Sequence, residues 1–310
     1  MPESPKPKTP PAASGASPGG RRLRVLLPTA GLLVLLVGFN LHRSIASLPP
    51  VCPPAGPRPT RIVSLSLGTD EVLLDLVPPE RIAALTYLSV NPEFSNVAER
   101  ARALPRHFAR SVEEMARLRP DLVLATSFND PEKVESLRAL GCRVVTLSRF
   151  DSLDGVRRNV VKVAAAVGEP ARGRALVARM DRTLREAARF RREGAKKPRV
   201  LSVGPGGYTQ GRGTTVNDLI RRAGGVNAAA ERLYGIGKLS LEEWLSLKPD
   251  VLLRMSFLPL DPFLVELFRA AGRDAVPAEV VMPSRLLTAV SPSSARAIRL
   301  LAERLREVAP

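Results

Sequence analysis

From Arg61 onward the chain switches repeatedly between two hydrophobic patterns. Short apolar runs, three to five residues long, read as buried strands. Between them apolar residues recur every three or four positions, the period of a helix with one buried face. The pattern predicts strands over 61–65, 81–85, 121–125, 143–147, 199–203, 251–254 and 278–282. It predicts helices over 69–76, 111–118, 131–140, 215–223, 262–271 and 293–308. Helical periodicity also fills 153–192, broken once at Gly168-Glu169-Pro170. A proline is tolerated in a first turn, so the second piece, 171–192, reads as one long helix. Strands that alternate with helices build parallel sheets covered on both faces.

One stretch occurs twice. Ser111-Val-Glu-Glu-Met-Ala-Arg-Leu-Arg-Pro-Asp121 runs into apolar Leu122–Leu124, and Ser240-Leu-Glu-Glu-Trp-Leu-Ser-Leu-Lys-Pro-Asp250 runs into Val251–Leu253. Each copy has an N-cap serine, glutamates in the first turn, an apolar stripe and a Pro-Asp stop. The copies start 129 residues apart, too far for a solenoid and right for two lobes of similar build. The expected fold class is therefore α/β, two Rossmann-like lobes with parallel sheets joined by a single long helix, with a cleft between the lobes. The expected division is an N-terminal lobe over 61–150, linker helices over 151–197 and a C-terminal lobe over 198–310.

The first sixty residues are different in kind. Residues 1–24 are Pro-, Ser-, Ala- and Gly-rich, carry basic residues and read as a disordered tail. Residues 25–41 form an uncharged apolar run of seventeen, the lower limit for crossing a bilayer, preceded by Arg21, Arg22 and Arg24. This segment is expected to export the chain or to anchor it in a membrane, either cut after Ala46 or retained. Residues 47–60 hold six prolines and read as an extended tether. The predicted location is the periplasm or cell envelope.

The net charge is +17, and aromatics make up only 4% of the chain, so the core must be aliphatic. No stretch interleaves aromatic with basic residues, which argues against nucleic acid. A solvated arginine-rich surface, with an attraction to anionic lipid, covers the charge. The two cysteines, Cys52 and Cys142, lack metal-ligand spacing; a disulfide between them is geometrically possible, but they read as two buried or idle thiols first. The two histidines, His42 and His107, are too few for a bare metal site; His107 reads as a loop histidine, or as an axial ligand to a metal macrocycle. No nucleophile elbow, metalloprotease helix or cysteine–histidine pattern is present, so no catalytic residues, no cofactor and no enzyme are expected.

Ligands of parallel α/β sheets bind beyond the carboxyl ends of the strands. That rule selects Ser66, Leu67, Gly68 and Thr69 after the first strand, at a helix N-terminus, where a simple capped helix is the competing reading. It selects Tyr87 and Leu88 after the second, Ser127, Phe128 and Asn129 after the third, and Phe150 after the fourth. In the second half it selects Gly207, Tyr208 and Arg212 in the glycine-rich stretch 204–213, then Tyr234, Met255 and Phe257. The glycine spacing fits neither a dinucleotide fingerprint nor a P-loop. Trp244 reads as a core anchor before it reads as a stacking surface.

The opening Arg61-Ile-Val-Ser-Leu-Ser66 with Thr69-Asp-Glu-Val72, Arg119-Pro-Asp-Leu-Val-Leu124, Ala223-Gly-Gly-Val-Asn227 and Lys248-Pro-Asp250 resembles the class III periplasmic substrate-binding proteins of ABC importers. The resemblance covers about residues 60–305. It implies a monomer that clamps a small-molecule metal chelate, a corrinoid or ferric siderophore and less readily haem, and delivers it to an ABC permease dimer. It further implies that Glu113 and Glu242 dock onto that permease. The alternatives are a membrane-tethered interaction domain that kept the fold without a transported ligand, or an enzyme on the same scaffold.

Overall fold

The computed structural model describes residues 56, 58–104, 111–191, 194, 196–259, 266, 268–270 and 276–308. The tail 1–24, the apolar run 25–41, most of the tether, His42, Cys52, His107 and six of the ten residues of the helix expected over 262–271 lie outside them. No helix among the described residues is long and apolar enough to cross a membrane.

Two four-stranded sheets, all parallel, carry the structure. The first has the order β2-β1-β3-β4, from β1 (Ile62–Ser64), β2 (Ile82–Ala84), β3 (Leu122–Thr126) and β4 (Val144–Leu147). The second has the order β10-β9-β5-β7, from β5 (Arg199–Val203), β7 (Val226–Asn227), β9 (Val251–Met255) and β10 (Ala278–Met282). Matching β1 with β5 and β3 with β9 makes the two orders the same. An antiparallel ribbon of β6 (Tyr208–Gln210) and β8 (Ile236–Lys238) is attached to the second sheet alone. The ribbon escapes a reading by local pattern, because each strand has three residues and its partner lies far along the chain.

The helices, in chain order, are α1 (Leu67–Leu76), α2 (Ala98–Arg102), α3 (Val112–Arg117), α4 (Pro131–Ala139), α5 (Leu153–Ala166), α6 (Pro170–Ala188), α7 (Thr215–Ala223), α8 (Leu241–Ser246), α9 (Ser284–Leu287) and α10 (Ser293–Val308). The connecting helix α6 stops at Ala188, short of the expected Arg192; Phe190 beyond it packs against the core. Helices α2 and α9 are too short to carry a visible periodicity.

Strand residues alternate between two cores. Val63 and Val123 face a small cluster with Met115 and Leu137, while Leu201 and Leu252 face another with Trp244 and Phe268. Their neighbours Ile62, Leu122, Leu124, Val200, Val251 and Leu253 all enter one continuous cluster with helices α1, α5, α6, α7 and α10. The lobes therefore share a core through the connecting helices; α6 is a layer of that core and not an isolated rod. Gly173 of α6 rests against Ala164 of α5, where an added Cβ would collide with the alanine methyl. Trp244 is buried, as a core anchor should be.

The repeated segments have the same local structure. Ser111 and Ser240 cap their helices, and Glu114 and Glu243 close reciprocal capping boxes. Arg119 and Lys248 both take positive φ, 47° and 46°, before the proline. Asp121 then accepts the backbone N–H of Thr60 (2.6 Å) and Arg61 (3.0 Å), and Asp250 accepts that of Arg199 (2.7 Å). Arg61 and Arg199 each reach back through Nε to the last turn of the repeat helix, at the carbonyls of Leu118 (2.9 Å) and Leu247 (3.0 Å). In both lobes one aspartate and one arginine join the repeat helix to the start of the first strand. Cys142 is disulfide-bonded, which corrects the reading of two idle thiols.

Asp70 in the first turn of α1 is fully buried, with Thr86 donating its backbone N–H (3.2 Å) and its hydroxyl. Burial pushes its carboxyl up to about 7, opposed by hydrogen bonds from Ser64 and Thr86.

Two outcomes are expected. Asp121→Ala and Asp250→Ala each strip strand N–H groups of their acceptor and should cost about 1–3 kcal/mol in chemical denaturation. The Asp70 carboxyl binds its proton more tightly folded than unfolded, where it titrates near ~4. Its contribution to stability is then complete below that value and is lost as pH rises through about 7. Asp70→Asn should flatten this part of the Tm-versus-pH curve; an unchanged slope would assign it to other groups.

Candidate functional site

The carboxyl ends of the two sheets meet along a seam. Where β2 faces β10, Glu93 accepts hydrogen bonds from Ser256 Oγ (2.9 Å) and Ser284 Oγ (2.6 Å), and Phe94 meets Phe257 edge-on at 5.6 Å. These two hydroxyls hold the Glu93 carboxyl below the usual range. Where β4 faces the second sheet, Leu153 N–H donates to Asp218 (2.8 Å) and the Thr215 hydroxyl donates to the Phe150 carbonyl. A third tie is deeper. The buried Glu71 accepts from Asn96 Nδ2 (3.0 Å) on its own side, and from Ser293 Oγ (2.9 Å) and Ser291 Oγ across the seam.

The expected residues divide by what their side chains do. Ser66 caps α1 and bonds Thr69, which is itself buried, and Gly68 packs against Val290 from the other lobe. Ser66 thus caps α1, while Leu67 and Gly68 beside it are partly exposed. The capped-helix reading describes the Ser66 side chain, which accepts the Thr69 N–H (3.2 Å). Asn129 is also consumed: its Oδ1 accepts the Thr126 N–H (2.7 Å) and its Nδ2 donates to the Leu65 carbonyl (2.9 Å), joining the ends of β3 and β1. Met255 is the last residue of β9 rather than the first beyond it.

The aromatic residues behave differently. Tyr87, Phe128, Tyr208, Tyr234 and Phe257 are exposed, Phe128 at 76% and Tyr234 at 79%. Tyr87 begins a short 3-10 turn that also carries Leu88, anchored to α1 through Thr86 and Asp70. Phe128, beside exposed Ser127, leans on Phe150 at 5.0 Å. Lys238 lies over the Tyr208 ring at 5.0 Å, a cation–π contact at the tip of the ribbon. Arg212 is exposed and bridges to Tyr234, whose ring crosses Gly213 at φ 74°; a side chain at Gly213 would strike it. Gly207, at φ 78°, turns the chain into β6.

Behind the ribbon lies a cavity of about 110 Å³, lined by Ser202, Tyr208, Val216, Leu253, Met255 and Leu287 among others. It is smaller than a ligand-sized site of about 300–1,000 Å³, so it can seat a substituent but not a whole macrocycle. Lys238 and Leu287 belong to this region and have no signal in the sequence, because only the ribbon pairing and α9 bring them there. No cluster of metal-ligating side chains occurs among the described residues.

Glu113 and Glu242 are exposed in the first turns of α3 and α8, the residues just before those that close the capping boxes. The Ser111 hydroxyl and a backbone N–H hold the Glu113 carboxyl low.

Comparison with known proteins agrees with this architecture. The model of the periplasmic binding protein family matches residues 62–281. A cobalamin-binding protein of Halobacterium salinarum is 30% identical over 200 residues, 62% of this chain and 53% of that protein. An uncharacterized ABC transporter substrate-binding lipoprotein of Bacillus subtilis is 25% identical over 202 residues, 63% of each. The chain thus matches between about half and two thirds of the length of these relatives. Among solved structures, the periplasmic haem-binding protein RhuT of Roseiflexus sp. RS-1, in apo form, superposes with a TM-score of 0.68 at 26% identity, over 82% of this chain and 100% of that one. A periplasmic haem-binding protein of Pseudomonas aeruginosa, 24% identical, shares the fold with a TM-score of 0.64 over 81% and 94%. With two matched parallel sheets meeting at a seam and a family match across both, this chain belongs to the periplasmic binding protein family, whose members bind ligands for transport and are not enzymes.

Proposed function

We propose that the chain is the substrate-binding component of an ABC importer and captures a chelated metal compound between its lobes. The observation that carries this reading is where the exposed rings stand. A soluble protein exposes large apolar groups together chiefly where something binds. The five aromatic residues exposed among the described residues all lie beyond carboxyl ends of strands or beside the ribbon. Rings on both lobes suit a broad, flat, partly apolar cargo. Arg212 and Lys238 add positive charge beside the ribbon, whose two strands carry no acid. They favour a cargo that bears carboxylates or an anionic chelate.

The similar proteins named above include one described as binding cobalamin and others as binding haem. Cobalamin and ferric siderophores are the first cargo classes for this chain, and haem is the third. Delivery would use Glu113 and Glu242, one on each lobe, against arginines of a permease dimer. The apolar run at 25–41 would export the chain or hold it at the membrane.

Isothermal titration of the purified chain with cobalamin, ferric siderophores and haemin tests the cargo. One class should bind, and Tyr208→Ala and Tyr234→Ala should each weaken it about tenfold, the loss of a ring contact and its buried area. Absence of heat with all three would refute the cargo class. Glu113→Arg combined with Glu242→Arg should abolish uptake by cells while leaving the measured affinity unchanged. A variant that transports normally would exclude both glutamates from docking.

A further inference from the structure

The outward face of the connecting helix carries a charge pattern that the cleft does not use. Arg174, Arg182 and Arg185 on α6 and Arg189 at its C-cap are exposed and make no side-chain hydrogen bond or ion pair within the described residues. At 3.6 residues per turn they fall within an arc of about 80° and span about 22 Å of helix. Gly173, Leu176, Met180 and Ala187, which are buried, occupy the opposite side. Arginines elsewhere on the same helix do have partners: Arg179 pairs with Asp75 (2.7 Å), and Arg172 donates to the Leu76 carbonyl (2.8 Å). The acids of this helix lie beside the arc, Asp181 bonded to Arg157 and Glu186 exposed at its margin. Helix α10 shows what a mixed solvated face looks like. There Arg296, Arg299 and Arg306 are interleaved with Glu303 and Glu307, and Arg304 pairs with Glu307 at 3.5 Å.

We propose that this face of α6 is a docking surface for an anionic lipid bilayer, with its four arginines bonding headgroup phosphates. Guanidinium groups present forks that match phosphate oxygens. Ala178 is exposed in the middle of the arc, with exposed Ala171 and Ala175 at its borders, and these small residues keep the surface low, so the four forks can reach one plane. The helix is held by its buried side, so docking requires ordering of side chains alone. A straight helix offers tangential contact to a flat phosphate layer. It does not offer the groove entry or stacking rings that nucleic acid recognition uses. The family works in the cell envelope, where lipid phosphates are the polyanion within reach. This docking is independent of the cargo proposed for the cleft, and its failure would leave that reading intact.

The test places a reporter on the arc. Ala178→Trp in the full chain adds an exposed indole to a protein whose one tryptophan, Trp244, is buried. The protein is mixed with phosphatidylcholine vesicles with and without phosphatidylglycerol. The apolar run at 25–41 would tether the chain to either vesicle, so the neutral vesicles control for it. On anionic vesicles the emission should shift to the blue, be quenched by brominated lipid, and revert in about 0.5 M salt, where screening acts within ~4 Å. Each arginine should be worth about fivefold in the docked-to-free ratio. Replacing all four by glutamine should abolish the shift with the far-ultraviolet spectrum unchanged. No shift on anionic vesicles, an equal shift on neutral ones, a shift that survives the glutamines, or preferential binding of duplex DNA at equal phosphate would each overturn the proposal. Should the glutamine variant fail to fold, the lipid and salt dependence of the Ala178→Trp protein decides alone.

Discussion

A parallel sheet is stable only when both faces are covered, and here the two sheets cover one face each with the same helices. Ile62 and Leu124 from one sheet and Val200 and Leu253 from the other enter a cluster that also holds Val160, Leu176, Met180 and Leu301. Close-packed interiors shift between discrete arrangements rather than stretching. The relative position of the lobes is therefore set by packing, and the hydrogen bonds of Glu71 and Glu93 across the seam add polar ties to it. Lobes fixed in this way have little freedom for hinge closure.

The two lobes are built by the same device. In each, a capped helix ends in a left-handed residue before Pro-Asp, and the aspartate takes the N–H groups at the start of the first strand. The matching arginine returns to the helix end. This link places β3 beside β1 and β9 beside β5, and so aims both carboxyl edges at the seam. What differs is added at those edges. The second lobe extends through the ribbon of β6 and β8, which carries Tyr208 and Lys238 and leads into the bridge between Arg212 and Tyr234. The first lobe brings the shorter turn with Tyr87 and the pair of Phe128 and Phe150.

Features that repeat or persist along the chain were legible in the sequence. The strands at 199–203 and 278–282 and the helices at 215–223 and 293–308 have the expected bounds, because strong periodicity and clear caps mark them. The duplicated segment revealed two lobes. Features made by distant pairing were not legible. The ribbon joins residues about 28 positions apart, and α9 has one turn, so the cavity they help to line had no local signature. In the site, the rule that ligands gather at strand ends picks out residues that include all five exposed rings. It does not tell a free side chain from one already bonded: Ser66 and Thr69 bond each other, and Asn129 bonds Thr126 and Leu65.

The glutamate pairs show how a structural need can release a charge for another use. A capping box requires one acid, three residues beyond the capping serine. Glu114 and Glu243 fill that position, and the helix dipole gains only ~0.3–1 kcal/mol from a further exposed carboxylate in the first turn. The acids before them, Glu113 and Glu242, are therefore nearly dispensable to the fold, and yet each lobe carries one at the same place. Closing the box also fixes the first turn, so the adjacent carboxylate leaves the surface from a defined backbone position in both lobes. Two like charges presented in matched settings suit a partner with two matched basic sites, and a dimer with twofold symmetry supplies such a pair.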